Sequence, residues 1–188
     1  MKKLHTGDIF EVTLKNTETI RFEKVHSKAG VTFFVLKDLW LCEYPMNCIS
    51  TNEGGFPNSN INEWLNSVVI ALLPDELVEK ILPRKITQYI DGKEYSTICK
   101  LWIPSAVEVF GKDACSGKAL LIEPNNEQFR WFKKAKHRIK GSVDFDPYWW
   151  TRTPNPSSSE LFWFVYNHGH HTNSSANTHL GVAFGFCM

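Results

Sequence analysis

From Leu161 to Met188 the chain has no Lys, Arg, Asp or Glu. At ordinary usage, about a quarter of residues charged, such a stretch would carry roughly seven. A calcium-type sugar site, which needs several carboxylate oxygens, is excluded there. Other absences are global. The formal net charge is only +1, so no broad field draws in DNA, RNA or an anionic membrane. No apolar run approaches the length of a membrane span, so no membrane insertion is expected. Met1, Lys2 and Lys3 are followed by no apolar stretch, which argues against a signal peptide and for synthesis in a cytoplasm. The five cysteines (Cys42, Cys48, Cys99, Cys115, Cys187) are odd in number and form no C-x-x-C pair. Reduced, mostly buried thiols are expected rather than a disulfide framework. No Gly-x-Ser-x-Gly elbow and no phosphate-binding glycine loop occurs.

What is present suffices for a core. The 188 residues are 43% hydrophobic and 22% charged, with seven Trp and thirteen Phe, which predicts one domain over 1–188. Residues 1–145 read as scaffold and 146–188 as a C-terminal motif with a binding region. Ile9 to Leu14 and Thr19 to Val25 alternate around Lys15-Asn16-Thr17, a hairpin signal. Val31 to Leu36 is a continuous apolar run suited to a buried strand. A helix capped by Asn58 or Ser59 follows, with Ile61, Trp64, Leu65, Val68, Val69 and Leu72 on one face. Pro74 opens a second helix with Asp75 and Glu76 in its first turn. Its apolar face is Leu77, Val78, Ile81 and Leu82, and Pro83 ends it. Leu101 to Ser105 reads as a short strand that Ala106 to Gly111 continues. Glu127 to Lys140 is basic and aromatic. A solvated segment pinned by Phe129 and Phe132 is preferred to a nucleic-acid patch, because the chain as a whole is nearly neutral. Two helices beside short strands, without strand–helix alternation, indicate α+β.

The last forty residues fall into three parts. Tyr148-Trp149-Trp150-Thr151-Arg152-Thr153-Pro154 is aromatic and rigid, and Gly181 to Met188 is apolar. Between them, Phe164 to Leu180 is made of Asn, Ser, Thr, His and a few aromatics. Arg152 reads as a buried structural cation bonded to carbonyls. His168, His170, His171 and His179 lack the spacing of a strong zinc motif, so no metal is assigned. No catalytic residue and no cofactor is assigned either. Cys187 with His179 remains a conceivable nucleophile and base, which nothing singles out. With Trp163 and Val165 as core positions, alternation turns Phe162, Phe164, Tyr166 and His168 to the opposite face. Gly169 turns the chain, and His170 to Ser174 is expected to be a loop. Tyr, His, Asn and Ser on rigid support suit recognition surfaces.

The chain resembles a bacterial and phage domain of unknown function with a C-type-lectin-like fold. The motifs that carry the resemblance start with Ile20-Arg21-Phe22-Glu23, Tyr44-Pro45-Met46-Asn47 and Trp64-Leu65-Asn66. Leu101-Trp102-Ile103-Pro104-Ser105 and Glu108-Val109-Phe110-Gly111 follow, then Tyr148 to Pro154 and Gly181-Val182-Ala183-Phe184-Gly185-Phe186. Thr151 and Thr153 depart mildly from the family's usual Trp-Arg motif, which has Leu or Glu before the Arg and Ser after it. Some members resemble variable proteins of diversity-generating retroelements, in which adenines of AAC codons are randomised. Such codons cannot yield Lys, Glu, Gln, Met or Trp, and Phe164 to Leu180 contains none of them. The resemblance implies a structural frame of Trp149, Trp150, Arg152, Pro154, Gly181, Phe184, Gly185 and Phe186, with Gly181–Phe186 as a strand. It also implies a diversified binding face of Phe164, Tyr166, Asn167, His168, His170, His171, Thr172, Asn173, Ser174, Asn177, Thr178 and His179. The implied partner is a protein or glycan on a cell surface, with virion or surface association and an oligomer compatible with it. The same fold serves the formylglycine-generating, sulfatase-modifying enzymes, so an enzyme is the alternative, and a passive structural component is a third.

Overall fold

The computed structural model describes residues 4–141 and 146–188; Met1, Lys2 and Lys3 and part of the 1–145 scaffold lie outside the described residues. The architecture is α+β, with antiparallel sheets and short helices. β1 (Ile9–Thr13) and β2 (Thr19–Lys28) form the hairpin that alternation predicts, with Thr13 opposite Thr19. β3 (Val31–Leu36) pairs with β2, and β9 (Gly185–Cys187) pairs with β3. The resulting sheet, in the order β1-β2-β3-β9, joins the two ends of the chain. Only Gly185–Cys187 of the expected Gly181–Phe186 strand is regular. Gly181 makes an isolated bridge with Trp149, and Val182 to Phe184 run as irregular chain.

Ser59 caps α1 (Asn60–Trp64), accepting from the Asn62 backbone N–H. The helix runs on through a π turn at Leu65–Val69 into α2 (Ile70–Leu72). Ile61, Leu65 and Val69 are buried, but Val68, expected on that face, is exposed. A π turn inserts one residue and rotates the following side chains off the α-helical period. α3 (Asp75–Lys80) begins after Pro74 as expected. No residue inside it is buried, and Leu82 beyond it is exposed.

Two expectations for the middle of the chain are corrected. A second hairpin, β4 (Arg84–Ile90) with β5 (Lys93–Cys99), was not anticipated. Its turn is Asp91-Gly92, with φ of +49° and +75°, the positive pair that a two-residue hairpin turn requires. Leu101 to Ser105 is not a regular strand, since only Trp102 bridges, to Gly185, and Ala106 to Gly111 does not continue it. Ala106–Phe110 is helix α4, started by a capping box in which Ser105 and Glu108 satisfy each other's backbone N–H. A further short helix, α5, spans Ala119–Ile122, so the helices number more than the two expected.

β6 (Trp149–Pro154), β7 (Leu161–Val165) and β8 (His171–Ser175) form an antiparallel sheet in that order. One hydrophobic cluster runs from Val12 to Cys187 and takes in both larger sheets. Phe129 and Phe132 are buried in it, as expected. Lys140, from the same basic segment, is not solvated. It is buried, donates to Glu23 Oε1 at 2.7 Å and also to the Leu36 carbonyl, and lies over the rings of Phe132 and Trp149. No helix among the described residues is long and apolar enough to cross a membrane.

Candidate functional site

The C-terminal sheet grades from a buried strand to an open one. All six residues of β6 are buried. Its polar groups are satisfied internally, as burial demands. Trp149 Nε1 donates to the Arg138 carbonyl at 2.9 Å, and Trp150 Nε1 to the Tyr44 carbonyl at 3.0 Å. Arg152 is a buried structural cation, as expected, but its main partners are carboxylates. It donates to Glu123 at 2.7 Å, to Glu108 at 2.7 and 3.1 Å, and to the Ile103 carbonyl at 2.8 Å. Arg84 pairs with the same Glu108, so two cations and two anions close a neutral network. Burial alone would raise the Glu108 carboxyl, but Arg152 and Arg84 overcome that and hold it at about 2. Trp149, Trp150, Arg152, Pro154, Gly181, Phe184, Gly185 and Phe186 are all buried.

β7 is covered on both faces, and this corrects one site residue. Phe162 and Phe164, expected on the binding side, are 0% and 7% exposed. They meet the Trp150 ring edge-on at 6.5 and 6.0 Å. Val165 is buried as expected. Trp163 is half-buried against a second cluster that contains Ala106, Val107 and Cys115. Phe164 is therefore a core residue, closed to a ligand.

The strand register sorts the rest. His170 to Ser174 is not a loop, because His171–Ser175 pairs along β7. Asn, Ser and His have low strand propensity, and the pairing overrides it. Cross-strand partners share a face. Thr172 lies opposite Phe164, Ser174 opposite Phe162, and the Tyr166 N–H donates to the His170 carbonyl at 2.7 Å. Tyr166, His170, Thr172 and Ser174 therefore share one face. Tyr166, 40% exposed, stacks on Tyr148 with ring centroids 4.7 Å apart, and His168 meets Tyr166 edge-on at 6.4 Å. The Tyr166 phenol, more than burial, pushes the Tyr148 hydroxyl up to about 12. Ser174 and Thr178 hydroxyls lie 2.9 Å apart, and Asn177 and His179 are exposed at the following turn. Tyr148 was not singled out as a binding residue. The signal was its place one residue before Trp149, on the opposite side of an extended chain.

Other members of the polar run point elsewhere. His171 packs edge-on against Phe110 and Trp163 at 5.3 and 5.4 Å, and its Nε2 accepts from the Cys115 N–H at 3.4 Å. Burial first, then His170 and Arg138, lowers its pKa. Asn173 lies opposite Trp163 on that side, and Asn167 Oδ1 is buried without a hydrogen-bond partner among the described residues. Gly169 holds the tip of the β7–β8 turn at φ +76°, where a Cβ would stand 2.5 Å from the Ala135 carbonyl oxygen. That turn also receives a 3.3 Å hydrogen bond from Arg138 to the Gly169 carbonyl. The tip is thus buttressed by the segment before it.

The resulting surface carries no carboxylate, Lys or Arg of its own. It offers phenols, imidazoles, amides and hydroxyls, which recognise a partner by hydrogen bonding and ring contact. Among the described residues no group of three or more His, Cys, Asp or Glu is placed to hold a metal. All five cysteines are free. Cys42 and Cys48 are exposed, which departs from the expectation of mostly buried thiols by those two. Cys187 is buried, and burial pushes its thiol up to about 11, away from a reactive thiolate.

Residues 30–188 match the family model described as a domain of unknown function (DUF6273). No curated protein and no solved structure matches the chain. The matched span runs from β3 to β9 and leaves the β1–β2 hairpin outside it. The chain therefore belongs to the DUF6273 family.

Proposed function

We propose that this chain is a non-enzymatic ligand-binding protein of C-type-lectin-like architecture whose C-terminal polar run is diversified by a retroelement. One observation carries the reading. Tyr166, His168 and His170 are exposed at the β7–β8 turn, and Asn177 and His179 are exposed in the segment after β8, on a sheet whose first strand is wholly buried. Substitutions at such positions change the surface and leave the core alone. The absence of Lys, Glu, Gln, Met and Trp between Phe164 and Leu180 supports randomised AAC codons as the source of the run. The binding face is Tyr148, Tyr166, His168, His170, Thr172, Ser174 and Thr178, rimmed by Asn177 and His179. Its target is a protein or glycan on a cell surface, reached from a virion or from the surface of the producing cell. Affinity comes from the Tyr148–Tyr166 stack as anchor, and an oligomer would add avidity.

Sequencing the 3′ end of the gene and its flanks tests diversification. The expected result is an imperfect copy of the segment encoding residues 155–188, differing only at adenines, beside a reverse transcriptase gene. A flank without such a copy overturns diversification. Screening the protein and its Tyr166→Ala/His168→Ala variant on glycan and protein arrays tests binding. Equal array signals from the two would overturn the face assignment.

A further inference from the structure

We infer a second, independent site: a groove beside the N-terminal segment that binds a small organic phosphate bearing a flat ring, of the nucleoside monophosphate class. The groove encloses about 640 Å³, within the range of small-molecule sites. Its floor holds Trp131 and His137, stacked with centroids 3.7 Å apart and planes 12° apart. The pair is fixed from below. Trp131 Nε1 donates to Glu23 Oε2 at 2.9 Å, and His137 Nδ1 lies 2.9 Å from the Trp131 carbonyl. Around it stand Lys24, Arg130, Lys133 and Lys134, and no carboxylate lines the groove.

The groove gathers its cations in one place, whereas elsewhere exposed cations are either paired or, like Lys80, Lys85, Lys93 and Lys112, in no ion pair among the described residues. Lys15 pairs with Asp75 at 2.7 Å, Arg21 with Asp38 at 2.6 Å and Lys28 with Glu127 at 2.8 Å. Among the described residues, Arg130, Lys133 and Lys134 have no carboxylate within 4.0 Å, although all three are exposed. Glu23, the nearest buried acid below the floor, is committed to Lys140 and Trp131. Lys24 Nζ donates to the Leu4 carbonyl at 2.7 Å and steadies the wall. Unneutralised like charges around a rigid aromatic floor are relieved by an anion whose other half stacks. With a net charge of only +1, the attraction is confined to the groove, which suits one phosphate group rather than a long polyanion.

Isothermal titration of the full chain at about 0.15 M salt, where the screening length is about 8 Å, tests the site. The probes are the four ribonucleoside 5′-monophosphates taken singly, then adenosine and inorganic phosphate. At least one monophosphate should bind at least about tenfold more tightly than adenosine or phosphate alone, since each half contributes. Lys133→Glu/Lys134→Glu should weaken it at least about tenfold with an unchanged melting temperature. Lys136→Glu, exposed on the same segment but outside the groove, should leave affinity within about twofold, because surface charge away from a contact is screened. Absence of binding for all four monophosphates overturns the site. An equal loss from Lys136→Glu also overturns it, by reducing the effect to net charge. A ten-nucleotide single strand that binds more than about tenfold tighter than any monophosphate overturns the small-ligand assignment in favour of a nucleic-acid surface.

Discussion

β6 and β8 flank the same central strand, yet they are opposites. In β6 (Trp149–Pro154) every residue is buried; in β8 (His171–Ser175) none is. β6 is locked by side-chain chemistry, with Arg152 bridging two carboxylates and both indoles donating to distant carbonyls. β8 is held mainly by backbone pairing to β7; His171, Ser174 and Ser175 add side-chain contacts, none of them in a buried charged network, while Thr172 and Asn173 make no side-chain hydrogen bond among the described residues. The difference teaches where a domain tolerates change. Sequence is constrained where side chains complete a buried network and free where only the backbone bonds.

The comparison breaks most readily at Arg152. Arg152→Ala leaves Glu123 buried without a cation and Glu108 with Arg84 alone, and should cost about 3–5 kcal/mol in denaturant unfolding. A loss below about 1 kcal/mol would mean the network does not hold the frame. The same network predicts acid sensitivity. Glu108 is lowered from 4.5 to about 2 in the fold. A depressed acid stabilises fully above its unfolded pKa, so that contribution should fade as pH falls from 4.5 towards 2. Unfolding midpoints measured across that window should fall more steeply for the native chain than for Glu108→Gln.

Next in size is a contrast within two residues. Phe164→Ala should cost about 3–5 kcal/mol as a core truncation, whereas Tyr166→Ala should cost under about 1 kcal/mol. Comparable losses in the two melting curves would erase the boundary between core and face. Gly169→Ala should fall between, at about 1–3 kcal/mol, since φ +76° and the Ala135 carbonyl both oppose a Cβ. Hydrogen exchange at the turn amides would show the tip loosening. Smallest are single changes to Ser at His170, Asn177 or His179, each expected within about 0.5 kcal/mol in the same unfolding assay.

Much of the fold is legible in the residues. Alternation around Lys15-Asn16-Thr17 yields the first hairpin, and Ser59 and Pro74 mark the starts of two helices. The buried Arg152 follows from its setting between Trp150 and Pro154, although the sequence does not reveal that its partners are Glu108 and Glu123, 44 and 29 positions away. Two further elements have local signals in the sequence. Asp91-Gly92 between alternating runs is a hairpin turn, and Ser105-x-x-Glu108 is a capping box. Other features were not local at all. β8 is a strand because β7 lies beside it, not because His-Thr-Asn-Ser-Ser favours one. Period-two alternation cannot say which face of β7 is buried when both are covered, which is why Phe164 was placed outward. Tyr148 joins the candidate face only through its stack with Tyr166, 18 residues away.

The most direct measurement is protease resistance, read by sequencing, of a displayed library randomised together at Tyr166, His168, His170, Thr172, Asn177 and His179. If these side chains are surplus to the fold, most library members should resist cleavage as the native chain does, while a matched library at Trp150, Arg152, Phe162 and Phe164 should be almost wholly cleaved. Widespread cleavage of the first library would contradict the account, placing the polar run among the residues that hold the domain together.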